Sequence, residues 1–144
     1  MTTYLDSTVL VSLLYAQSCF KAAADAALAA AAGQAFTSTH ALVETYRTLT
    51  TLKLPIPPRA ARRLVVGLAA AIRIVEISRP VYTAALTAVA RQGLAGPIIY
   101  DAVHCLAARA GKAKRVVTRN PTHFRLFAGR MEVLELKEQQ TGKV

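Results

Sequence analysis

The sequence predicts an α/β domain of three layers, α/β/α, around a mostly parallel central sheet of about five strands. Short apolar runs of strand length alternate along the chain with longer stretches of helical periodicity, and that alternation implies parallel strands covered by helices on both faces. Glycines and prolines fall between the runs, where helices must start or stop. No repeat, linker or shift of composition divides the 144 residues. Residues 1–136 therefore read as one domain of ordinary size, and residues 137–144 as a polar tail expected to fray.

Residues 3–5 form a short buried strand, and residues 8–15 a helix with Ser7 or Thr8 as its cap. The alanine-rich stretch 22–32 is a second helix, stopped by Gly33. Residues 34–37 give a second strand. Ser38 or Thr39 then caps a helix over 41–52, with Leu42, Tyr46 and Leu49 on one face. Pro55, Pro57 and Pro58 break the chain, and Pro58 suits the first turn of a helix over 59–71. Residues 72–77, Ile-Arg-Ile-Val-Glu-Ile, alternate as a strand that turns Arg73 and Glu76 to solvent. Pro80 opens a helix to Arg91, Gly93 and Gly96 mark a loop, and Pro97 opens a helix over 98–110 that Gly111 ends. Residues 115–118 form a strand, Asn120-Pro121 a turn, residues 122–127 a short helical turn, and residues 131–136 the last strand.

Composition narrows the function. A hydrophobic content of 53% supports a packed core and excludes a disordered chain. Cys19 and Cys105 make no CxxC or Cys/His pattern, which argues against a disulfide framework or a structural zinc site and for reduced, buried thiols. The amino terminus has no basic n-region, and no apolar run approaches the roughly 18 residues of a membrane span, so a soluble, cytoplasmic protein is expected. The net charge of +10 points to a polyanionic partner, most often nucleic acid, although a basic protein without such a partner has the same composition. Arg109, Lys112, Lys114, Arg115 and Arg119 gather around the strand at 115–118, and Arg47, Arg59, Arg62 and Arg63 form a second group. Both could follow an RNA backbone, and both could equally be solvated surface.

With eight acids in the chain, each acid is informative. Asp6 directly follows the first strand, where ligands of an open α/β sheet bind. Glu44 lies near the start of the helix after the second strand, and Asp101 in the first turn of its helix. Each has an ordinary explanation: a cap for Asp6, a pair with Arg47 for Glu44, a favourable helix-end charge for Asp101. Together, partly inside apolar runs, they favour a shared divalent ion, and oxygen-only ligands select Mg²⁺ or Mn²⁺. The histidines are scattered. His104, three residues after Asp101, is more often a packed helix histidine than a ligand; His123 beside Phe124 reads as structural, and His40 joins no pair.

The motifs Leu5-Asp6-Ser7-Thr8-Val9-Leu10, Val43-Glu44-Thr45-Tyr46-Arg47-Thr48-Leu49, Tyr100-Asp101-Ala102-Val103-His104 and Val116-Val117-Thr118-Arg119-Asn120-Pro121-Thr122-His123-Phe124 resemble, in order and over nearly the whole chain, a PIN domain of the VapC-type toxin ribonucleases. The resemblance implies a PIN-like fold and a Mg²⁺- or Mn²⁺-dependent endoribonuclease of a type II toxin–antitoxin pair. It also implies catalysis and metal binding by Asp6, Glu44 and Asp101, a homodimer and a cognate antitoxin. Thr118 matches a family hydroxyl near the metal, and Ser7 and Thr8, which follow Asp6, are secondary site residues. Where many members have a fourth acid, this chain has Asn120, which can coordinate through its carbonyl or a water but brings no charge. Arg47, Arg109, Lys112, Lys114 and Arg119 are the RNA-binding candidates. The alternatives are a non-catalytic nucleic-acid-binding or protein-interaction module on the same fold and, last, a phosphoacceptor domain, which would want an acid beside Asp6 and a lysine at position 118.

Overall fold

The computed structural model describes residues 1–139; the end of the expected tail, residues 140–144, lies outside the described residues. The chain runs β1 (Thr3–Leu5), α1 (Ser7–Leu14), α2 (Lys21–Ala30), β2 (Ala35–Ser38), α3 (Thr39–Thr51), α4 (Pro58–Ala71), β3 (Arg73–Val75), α5 (Arg79–Arg91), α6 (Ile98–Ala110), β4 (Arg115–Thr118), α7 (Pro121–Arg125) and β5 (Glu132–Glu135). The five strands form one sheet in the order β3-β2-β1-β4-β5, and every neighbouring pair is parallel. Every connection between neighbouring strands is a helical crossover, which leaves no place for an antiparallel hairpin.

Strand alternation divides the core between the two faces. Tyr4, Phe36 and Val116 pack with Ala85, Val89, Val103 and Phe124 on the side of α5, α6 and α7. Leu5, Ala35 and Val117 pack with Val9, Leu10 and Ala24 on the side of α1 and α2. A third cluster, Leu49, Ala61 and Val65, joins α3 and α4 to Val11 and Leu14 of α1.

Several local expectations are corrected. The cap of α1 is Asp6, whose carboxylate accepts from Val9 N–H at 3.2 Å, so the helix starts at Ser7. Ser38 caps α3, accepting from Ala41 N–H. The buried face of α3 is Ala41, Thr45 and Leu49 rather than Leu42, Tyr46 and Leu49. Thr45 is tolerated there because its hydroxyl donates to Ala41 C=O at 2.7 Å, which pairs this buried polar atom. Tyr46 faces out. The edge strands β3 and β5 are shorter than their apolar runs, since each has a single neighbour and extends only while that neighbour pairs with it. Of the two thiols only Cys105 is buried; Cys19 is exposed.

Candidate metal centre

A parallel sheet brings all carboxyl ends of its strands to one edge. The chain steps outward from β1 through β2 to β3, then returns to the other side of β1 with β4. The order therefore reverses between β1 and β4, the position where open α/β sheets open a crevice. Asp6 follows β1 there and Thr118 ends β4. Asp6 is only 2% exposed. Thr118 Oγ1 donates to its Oδ2 at 2.6 Å, and Thr8 Oγ1 and Val9 N–H donate to its Oδ1 at 2.6 and 3.2 Å. Both hydroxyls are held in that role. Thr8 Oγ1 accepts from Arg119 N–H and Thr118 Oγ1 from Asn120 N–H, each at 3.0 Å, so each hydroxyl proton is directed at Asp6. Burial nevertheless pushes the Asp6 carboxyl above the usual aspartate range; the nearby His104 charge and these hydrogen bonds oppose the shift without cancelling it.

Glu44, on α3, faces the same edge. Its Oε2 accepts from Ser7 Oγ at 3.0 Å, and its Oε1 lies 2.8 Å from His104 Nε2 and 2.6 Å from His40 Nε2. Burial alone would push this carboxyl up, but the contacts and charges of His104 and His40 outweigh it and hold the group well below the usual glutamate range. Burial likewise disfavours a charged His104, yet the Glu44 contact and the charges of Glu44, Asp6 and Asp101 raise its pKa. On its other side, His104 Nδ1 lies 2.7 Å from the Tyr4 hydroxyl, which lies 2.8 Å from Ser38 Oγ. His40 stacks on Tyr100 at 5.6 Å and meets the His104 ring edge-on at 5.5 Å. Its Nε2 is close to Glu44 but off the line a hydrogen bond needs, and this buried nitrogen has no hydrogen-bond partner.

Asp101, in the first turn of α6, has its Oδ2 at 2.8 Å from His123 Nδ1. Burial first, then the charges of Asp101 and Asp6, push the Cys105 thiol up. Asn120 precedes α7, and its backbone is tied to Thr118.

Asp6, Ser7, Thr8, Glu44 and Thr118 thus meet at one sheet edge, with Asp101 one helical turn before His104. Among the described residues, the group whose metal-ligating atoms all lie within 4.8 Å of one another is His40, Glu44 and His104; Asp6 and Asp101 are not in it. Sequence reasoning missed this histidine pair. The available signal was the four-residue spacing of His40 and Glu44, which puts them on one helix face. The basic candidates divide. Arg47 lines a cleft of about 480 Å³ with His40, Val43, Glu44, Pro97 and Tyr100, and Arg119 follows β4 at the same edge with its guanidinium 3.8 Å over the Phe20 ring. Arg109, at the end of α6, and Lys112 and Lys114, before β4, lie at the opposite edge, where Lys114 N–H bonds Thr2 C=O. Those three do not line the crevice.

The donor types suit a hard divalent ion, although the oxygens of Asp6, Glu44 and Asp101 do not all lie within 4.8 Å of one another. Asp6 is a buried carboxylate that makes no ion pair with a basic side chain among the described residues, and a buried charge without a counter-charge is costly unless a cation supplies one. Asp6, Glu44 and Asp101 offer oxygen alone, as Mg²⁺ and Mn²⁺ prefer.

An all-parallel sheet with a carboxylate at its switch point defines an α/β domain whose ligands enter at the carboxyl edge. The PIN domain family matches residues 3–129, and the chain belongs to that family. Its fold is shared with solved toxin–antitoxin structures. VapBC2 of Rickettsia felis, bound to a promoter DNA fragment, is similar at 16% identity, TM-score 0.70, over 95% of this chain and all of that one. A toxin–antitoxin complex of Klebsiella pneumoniae is similar at 20% identity, TM-score 0.69, over 95% and 99%. VapC20 of Mycobacterium tuberculosis, described as a toxin that cleaves the sarcin–ricin loop, is similar at 18% identity, TM-score 0.67, over 79% and 86%. No curated protein matches the chain in sequence.

Proposed function

We propose that this chain is a metal-dependent endoribonuclease, the toxin of a type II toxin–antitoxin pair, acting in the cytoplasm. Mg²⁺ or Mn²⁺ is held by Asp6, Glu44 and Asp101, with Asn120 contributing through water. The observation that carries this reading is Asp6: buried, without an ion pair, and fixed by two directed hydroxyls at the switch point of a PIN-family sheet. When bound, such an ion supplies an activated water and neutralises charge on the phosphodiester in its transition state. The chain's own residues position the acids. Thr8 and Thr118 hold both Asp6 oxygens, Ser7 and His104 hold Glu44, and His123 holds Asp101. Arg47, lining the cleft, and Arg119, at the same sheet edge, take RNA phosphates.

Two exposed apolar surfaces suit the expected partners. Val43, Tyr46 and Val66, on α3 and α4, give a cognate antitoxin a footing beside the crevice, and Tyr82 and Leu86 on α5 suit a homodimer. The toxin reading is tested by induced expression in a bacterial host with mapping of new RNA 5′ ends. Wild type should arrest growth and create discrete cleavage sites, and Asp6→Asn should do neither at equal protein level. Equal arrest by Asp6→Asn would refute the nuclease reading and favour the non-catalytic binding module.

A further inference from the structure

The oxygen ligands of the proposed nuclease site leave one tight cluster unaccounted for. His40 Nε2, His104 Nε2 and Glu44 Oε1 face one another across the gap between α3 and α6. We infer that these three atoms form a second cation site, specific for a borderline transition ion of the Zn²⁺ class, which shares Glu44 with the all-oxygen site but differs from it in donor set.

Donor chemistry sets the class. Two imidazole nitrogens and one carboxylate suit Zn²⁺, Co²⁺ or Ni²⁺ and disfavour Mg²⁺, which prefers oxygen and water. Three protein ligands with an open position for water is a familiar zinc arrangement. The spacing is close to what such an ion needs. A tetrahedral ion about 2.1 Å from each ligand sets them about 3.4 Å apart; here both nitrogens lie within 2.8 Å of the shared oxygen, so a small opening of the side chains admits the ion.

The nitrogen without a hydrogen bond is the independent sign. A buried polar atom without a hydrogen bond is uncommon and calls for a cause such as a missing ion. His40 Nε2 is such an atom: it makes an ionic contact with Glu44 Oε1 at 2.6 Å but no hydrogen bond, and it is aimed at the cluster. Its ring is pre-set by stacking on Tyr100 and by the edge of His104. His104 is prepared from behind. The Tyr4 hydroxyl at its Nδ1, continued to Ser38, can accept as readily as donate. With Nδ1–H donated to Tyr4, the Nε2 lone pair is free for a metal, the outer-partner arrangement typical of ligating histidines.

Glu44 belongs to both sites, so the test must separate them. Co²⁺ is titrated into metal-free, tag-free full-length protein and followed by visible absorption and calorimetry, with Mg²⁺ as comparator. Wild type should bind Co²⁺ with the intense bands of a four- or five-coordinate ion, which Zn²⁺ displaces and equal Mg²⁺ does not. His40→Ala, at a half-buried position, should weaken binding at least about 100-fold, more than the loss of an outer partner costs. Asp6→Asn, which disables the oxygen site alone, should bind Co²⁺ as wild type does, whatever becomes of RNA cleavage. Co²⁺ binding unchanged in His40→Ala, a pale six-coordinate spectrum in wild type, or binding lost in Asp6→Asn but kept in His40→Ala would overturn the inference.

Discussion

Replacing Asp6 by Asn separates a ligand from a cap without any substrate. Asn caps a helix about as well as Asp, and its Oδ1 can still accept from Thr8 Oγ1 and Val9 N–H. Its Nδ2 would face Thr118 Oγ1, which already accepts from Asn120 N–H and keeps a second lone pair. Three hydrogen bonds to a charged acceptor, worth about 1.5–3 kcal/mol each, become weaker neutral ones, but burying the ion costs several kcal/mol, and the raised Asp6 pKa says that the cost prevails. Metal-free Asp6→Asn should therefore match or exceed wild-type stability by up to about 1 kcal/mol, or about 2–4 °C in Tm for a domain of this size. The sign with pH follows. A carboxyl raised by folding makes stability fall as pH rises from the unfolded aspartate range towards the folded value, and Asn removes that contribution. Mg²⁺ at 100 times its Kd should stabilise wild type by about 2.7 kcal/mol, about 5–10 °C, and leave Asp6→Asn unmoved. Thermal melting with and without Mg²⁺ measures both effects. A metal-free loss above about 3 kcal/mol, or an equal Mg²⁺ response, would refute the reasoning.

Thr118→Val removes the donor to Asp6 Oδ2 and the acceptor of Asn120 N–H together; it should cost about 1–3 kcal/mol in chemical denaturation and lower cleavage further than that loss explains. Gly111→Ala would set a Cβ 2.5 Å from the Phe36 ring, which is buried and packed edge-on to Tyr4, so overpacking should cost about 1–3 kcal/mol by the same assay. In the inactive Asp6→Asn background, Arg47→Ala and Arg119→Ala should each flatten the log–log salt dependence of RNA binding by about 0.7–0.9. Lys112→Ala and Lys114→Ala, at the far edge, should leave it unchanged.

The features most legible in the sequence were those set by short-range patterns. β1 and β4 are apolar runs bounded by Asp6 and Arg119, and the acid that interrupts the first of them is the one at the switch point. The ends of β3 and β5 were not legible, because they depend on the length of a neighbour. Lys114 and Arg119 looked like one patch because they are close in sequence, but an extended strand rises about 3.3 Å per residue. The five steps between them span about 16 Å by the same rise and end at opposite edges of the sheet. The His40–Glu44–His104 cluster was hidden for the opposite reason. His104 lies far along the chain from the other two, and only the seating of α3 and α6 at the same sheet edge brings the rings together.

The most direct test of the account is cleavage of a structured RNA by the purified tag-free chain, with Mg²⁺ or Mn²⁺ restored stepwise after chelation. Wild type should be silent in chelator and recover with added metal, and Asp6→Asn, folded by thermal melting, should stay silent throughout. Cleavage that persists in excess chelator, or that Asp6→Asn retains, would contradict the metal-dependent ribonuclease.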